Sequence, residues 1–161
     1  MKEQYSIEGV AVDKYAQGGA TGKPPIVVVH GGEHGSWVWE KWANFFCQAG
    51  YQVHALNWYN HGNSDRLPEA EFIKRSITDI ADKELSIVVK NLAMTPIVIG
   101  HSMGGLASAV YASTGRVERL VLVTPAMPVA AKADPYRSRL ITRPPSQYFH
   151  TSKPNNCSLR H

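Results

Sequence analysis

Apolar positions along the chain follow two rhythms. Ile26-Val27-Val28-Val29 and Ile97-Val98-Ile99 are continuous β-branched runs, the pattern of strands buried on both faces. Residues 51–56 and 120–123 read the same way, and residues 4–14, with Tyr5, Ile7, Val10 and Val12, read as a weaker strand. Between the strands the period lengthens. Trp39, Trp42 and Phe46, joined by Phe45, predict a helix that Ser36 caps and Gly50 ends. Ile73, Ile77, Ile80, Ala81, Leu85, Val88 and Leu92 predict a second helix over 69–92. A third, over 103–113, begins with small residues that suit close packing on a sheet.

Strands alternating with helices through short connections imply an α/β fold: a mostly parallel sheet with helices on both faces. Ligands of such sheets bind at the carboxyl ends of the strands. Two glycine-rich stretches fall at those ends, His30-Gly31-Gly32-Glu33-His34-Gly35 after Val29 and Gly100-His101-Ser102-Met103-Gly104-Gly105 after Ile99.

Composition narrows the class. The 161 residues, 43% hydrophobic and 19% charged, suffice for one domain with a real core. No apolar run approaches a membrane span, and Met1-Lys2-Glu3-Gln4-Tyr5 is unlike a secretory signal, so the expected location is cytoplasmic. Cys47 and Cys157 have no metal or redox spacing, and Cys47 reads as a small buried hydrophobe. The net charge of +4 resides in the tail, where Lys132, Arg137, Arg139, Arg143, Lys153 and Arg160 face one acid, Asp134. These charges are scattered with no aromatic platform, so nucleic acid is not an expected partner.

Gly100-x-Ser102-x-Gly104 between a strand and a helix has a mechanical rationale. The turn is so sharp that side chains two residues either side of the serine would collide. It lifts the serine hydroxyl above the sheet edge and aims the first N–H groups of the helix beside it. Those groups suit a developing oxyanion, Met103 N–H first among them. A second donor is expected from the other loop, at Gly32.

These stretches carry a family resemblance. "VVVHGGEHGSWVW" resembles the oxyanion loop of the α/β-hydrolase fold, "NWYNHGNSD" the loop after the next strand, and "IGHSMGGLAS" the nucleophile elbow. The resemblance covers residues 5–125. It implies an N-terminal part of such a domain over 1–125 and a Pro-rich basic tail over 126–161 that reads as the start of a cap. It further implies hydrolysis of a small ester, thioester or lactone with no cofactor and no metal. Ser102 would be the nucleophile, with Gly32 and Met103 forming the oxyanion hole. "HGGEHGSW" is also similar to the plant methylesterase and hydroxynitrile-lyase branch.

A serine needs a base, and the base an orienting carboxylate. The resemblance implies the chain order serine, acid, histidine. Asp134 and His150 follow in that order and are the acid and base candidates, with His161 behind them, though neither follows a strand. His34, His61 and His101 are expected to shape loops or line the pocket. The expectation is therefore a fold that lacks its C-terminal strands, with residues 120–123 near an unpaired sheet edge that invites self-association. The alternative is a truncated or non-catalytic binding module on the same scaffold.

Overall fold

The computed structural model describes residues 1–19 and 21–127. Six strands form one sheet in the order β1-β2-β4-β3-β5-β6: β1 Lys2–Ile7, β2 Val10–Tyr15, β3 Ile26–Val29, β4 Val53–Leu56, β5 Ile97–His101 and β6 Arg119–Val123. From β4 to β6 all neighbours are parallel, and β2 joins β4 antiparallel. The strand-like stretch over 4–14 forms the hairpin β1–β2. Its two-residue turn has positive φ at both positions, 48° at Glu8 and 78° at Gly9, which matches the twist of the paired strands.

Pairing of β3 with β5 sets Val29 opposite Gly100, so the two glycine-rich loops leave the sheet side by side. The expected parallel α/β arrangement is present, with the antiparallel hairpin added at one side. Among the described residues β6 lies at the opposite edge of the sheet, with Val121 and Leu122 exposed.

Helix α1, Glu40–Gln48, follows a 3-10 turn at Ser36–Trp39. Its buried stripe is Trp39, Ala43 and Cys47, spaced by four residues. Trp42 and Phe45, expected on that face, are 49% and 66% exposed because they lie off that stripe, while Phe46 packs partly buried against the same core. Ser36 does not cap the helix; its hydroxyl donates to Asp13 Oδ2 at 2.7 Å. Gly50 does end it, at φ 83°, with its N–H on the Cys47 carbonyl.

The helix expected over 69–92 is broken. It consists of α2 Glu69–Phe72, α3 Ile77–Asp79, a π-helical turn Ile80–Leu85 and α4 Ser86–Lys90. The restart is chemical: Ser76 and Asp79 form a reciprocal capping box. Ile73, before the restart, is 50% exposed rather than on the buried face. The π turn buries Glu84 together with Ile80, Ala81 and Leu85.

Helix α5, Met103–Ala112, starts directly behind Ser102. Val10, Val12, Val27, Val29 and Leu56 pack with Ile80, Leu85, Val88, Ala107 and Tyr111 on one side of the sheet. Tyr15, Ile26, Val28 and Val53 pack with Trp39, Ala43 and Cys47 on the other. Each fully buried Val or Leu contributes about 1.5–3 kcal/mol, so both layers hold the strand ends that carry the loops. Among the described residues no helix is long and apolar enough to cross a membrane.

Candidate active site

Ser102 occupies the turn between β5 and α5 with φ 53° and ψ −121°, a conformation that L-residues rarely adopt. Its backbone is tied at both ends: its N–H donates to Val123 O at 3.1 Å and its carbonyl accepts Ala126 N–H at 2.8 Å. The flanking glycines are sterically required. A methyl group on Gly100 would lie 2.5 Å from Gly104 O and from Ser108 Oγ. One on Gly104 would lie 2.2 Å from His30 O. The elbow therefore fits only because both positions lack a side chain.

The other glycine-rich loop meets the elbow. A methyl on Gly31 would stand 3.2 Å from Ser102 Cβ, and one on Gly32 would stand 2.6 Å from Met103 Sδ. Gly31 and Gly32 thus face Ser102 and Met103 directly. Among the described residues, the N–H groups of Gly32 and Met103 enter none of the loop and turn hydrogen bonds. The first N–H groups of a helix have no intrahelical acceptor, which leaves Met103 N–H available to a ligand.

His30 fixes the loop from behind. It is fully buried, stacked on Trp58 with ring centroids 4.6 Å apart. Trp58 N–H donates to its Nε2 at 3.3 Å, so the proton sits on Nδ1, which donates to Gly31 O at 2.7 Å. Burial, aided by the nearby His61, depresses its pKa to about 3 and keeps the ring neutral. The Gly31 carbonyl and the Gly32 N–H share one trans peptide and point opposite ways. A bond that holds the carbonyl therefore aims the N–H.

His61 lies behind the next peptide, its Nε2 3.0 Å from Gly32 O and its Nδ1 3.0 Å from Tyr59 O. His34 and His101 flank Gly31 with ring centroids 5.8 Å apart, and His34 Nδ1 is buried without a hydrogen-bond partner among the described residues. All three histidines therefore lie against the Gly31–Gly32 loop. Asp134, His150 and His161 lie outside the described residues, as does Cys157. Among the described residues no group of His, Cys, Asp or Glu side chains could hold a metal ion.

Sequence reasoning missed the polar scaffold beneath the loop. Asp13, on β2, accepts from Ser36, Gln4 and Lys2, and Ser36 N–H donates to Asn57 Oδ1 at 2.8 Å. Burial works to raise the Asp13 pKa, but these hydrogen bonds and the Lys2 charge outweigh it and hold the carboxyl low. Glu84 accepts Tyr59 N–H at 2.7 Å and pairs with Arg75. Beside Met103 lies a cavity of about 240 Å³ walled by Trp58, Tyr59, Phe72, Ile77 and Ile80.

The chain is similar to known proteins. The alpha/beta hydrolase fold family matches residues 24–157. The chain belongs to this family. Within it, the non-heme chloroperoxidase of Streptomyces lividans is 32% identical over 113 residues, 68% of this chain and 40% of that protein. Methyl jasmonate esterase 1 of Vitis vinifera is 34% identical over 87 residues, 53% of this chain and 32% of that protein. The crystal structure of a probable hydrolytic enzyme from Pseudomonas aeruginosa superposes with a TM-score of 0.61 at 27% identity, over 78% of this chain and 41% of that one. The chain spans less than half the length of these alpha/beta hydrolase relatives.

Proposed function

We propose that this chain carries the nucleophile and oxyanion hole of a serine hydrolase acting on small carboxylic esters or thioesters. The observation behind the reading is the strained φ of Ser102 in a turn packed against Gly31 and Gly32. The esterase and hydrolytic-enzyme relatives support the same class. Ser102 Oγ attacks the carbonyl carbon while its proton passes to a base. The oxyanion settles between Gly32 N–H and Met103 N–H, where fixed donors need no reorganisation. Collapse expels the alcohol or thiol with a proton, and water then hydrolyses the acyl-enzyme.

Asp134 and His150 are the acid and base of this reading, and residues 126–161 begin the cap. The small apolar cavity beside Met103 suits the non-reacting part of a compact ester. Self-association at the β6 edge is supported by the exposure of Val121 and Leu122, and light scattering tests it. The deciding experiment is labelling of the full chain by a fluorophosphonate, with Ser102→Ala as control. Stoichiometric labelling that vanishes in the control, and falls in His150→Ala, supports the reading. An unlabelled but folded chain favours the alternative of a non-catalytic binding module.

A further inference from the structure

Gly32 has a difficulty built into its position. Its N–H must stay aimed at the oxyanion, yet glycine is the residue whose flanking peptides rotate most freely. A methyl there would lie 2.6 Å from Met103 Sδ and would push that side chain aside, and the glycine itself supplies no stiffness. Rigidity has to come from outside the residue. On its N-terminal side the Gly31 carbonyl is held by His30 Nδ1 at 2.7 Å and His34 N–H at 3.2 Å. On its C-terminal side the Gly32 carbonyl meets His61 Nε2 at 3.0 Å.

We infer that His61 is a positioning residue for the oxyanion hole, locking the peptide after Gly32 through Nε2–H so that Gly32 N–H stays directed at the reacting carbonyl. The inference rests on the Ser102 reading above. With His30 behind one peptide and His61 behind the next, both backbone torsions of Gly32 are fixed. A neutral imidazole has one proton for the two carbonyls it faces. The Gly32 carbonyl contact is buried, whereas the Tyr59 carbonyl contact is only partly so. Leaving the buried acceptor unmet costs more, which places the proton on Nε2. Burial also lowers the pKa of His61, against the pull of the two carbonyls, and so favours the neutral ring.

The test compares two substitutions of His61 in the full chain. In His61→Gln the amide nitrogen reaches the place of Nε2 and can still donate to Gly32 O. In His61→Asn the amide reaches only the place of Nδ1. The readout is the rate of fluorophosphonate labelling at Ser102, alongside the thermal midpoint of each variant. The expected result is a rate within about 3-fold of the original for Gln and a roughly 10- to 100-fold loss for Asn, since a displaced oxyanion donor acts on the transition state. Equal rates in Asn and the original chain, or equal losses in Asn and Gln, would overturn the inference while leaving Ser102 as the nucleophile. An original chain that does not label fails the Ser102 reading itself, and the inference falls with it. Nitrogen NMR of the unsubstituted protein needs no variant to fold: an Nε2–H tautomer supports the assignment, and an Nδ1–H tautomer overturns it.

Discussion

Gly104 stands against His30, such that a methyl on the glycine would lie 2.2 Å from the histidine carbonyl oxygen. The elbow and the neighbouring loop are therefore one packed unit rather than two independent turns. The obstacle is backbone on a buried strand end, which cannot swing aside as a side-chain tip can. Gly104→Ala should cost about 3 kcal/mol or more of stability, at the upper end of overpacking effects. Gly19→Ala, at a position with no atom within 4 Å, should change stability by no more than about 0.5 kcal/mol. Urea unfolding of both variants checks the contrast, and a similar cost at the two sites would refute the packing argument.

The backbone of Ser102, at φ 53°, stores strain that glycine would not. Such residues cost on the order of 1–3 kcal/mol and persist because their surroundings impose them. Ser102→Gly should therefore raise the unfolding free energy by about 1 kcal/mol while abolishing fluorophosphonate labelling. Ser102→Ala should abolish labelling without that gain, because alanine keeps the Cβ and its strain. Thermal midpoints of the three chains decide the matter. Equal midpoints for the glycine and alanine variants would remove strain as a property of the elbow.

Two buried histidines link stability to acidity. Burial depresses His30 to about 3 and His54, which meets the Tyr5 hydroxyl, to about 4, from 6.5. Between those values and 6.5 the unfolded chain binds more protons than the folded one, so stability rises with pH. Their contribution is complete above about pH 6.5 and is lost as pH falls towards 4 and then 3. The unfolding free energy from urea titrations should decline steadily below pH 6.5, by up to about 1.4 kcal/mol per pH unit for each ring. His54→Gln should flatten the stretch between pH 6.5 and 4. An unchanged slope in that variant would show that His54 is not the group responsible.

Much of the architecture was legible because local chemistry and global packing agree. Val27 and Val98, in unbroken β-branched runs, lie in fully buried strands, and Gly100, Ser102 and Gly104 meet the steric need that their spacing signals. Periodicity failed where the backbone changed its own period. The capping box at Ser76 and Asp79 restarts the helix, so a continuous count by 3.6 residues misplaces Ile73, which precedes the restart. Trp42 and Phe45 stay exposed because the stripe through Trp39, Ala43 and Cys47, and not ring size, decides which face of the helix is covered. His30 and His61 could be placed on the right loops from sequence. Which carbonyl each ring holds depends on pairing between strands and loops distant along the chain.

The buried pair of Arg75 and Glu84 offers a test of how the loop after β4 is held. Glu84 is almost wholly buried, accepts Tyr59 N–H and pairs with Arg75, whose guanidinium lies over the Tyr59 ring. Burial raises the Glu84 pKa, and the Tyr59 N–H and Arg75 oppose that rise. Removing the arginine strands a buried carboxylate, and losses of about 3–5 kcal/mol are usual for such a break. Because Arg75 retains some exposure, Arg75→Ala should lose about 3 kcal/mol at neutral pH. Glu84→Gln keeps an acceptor for Tyr59 and should lose less. The double variant should lose at least about 1 kcal/mol less than the two single losses added together, since the stranded charge is gone. A double-mutant cycle by urea unfolding at pH 7 gives the coupling. Strict additivity would mean that Tyr59 and its loop are held by the neighbouring apolar packing and not by the ion pair.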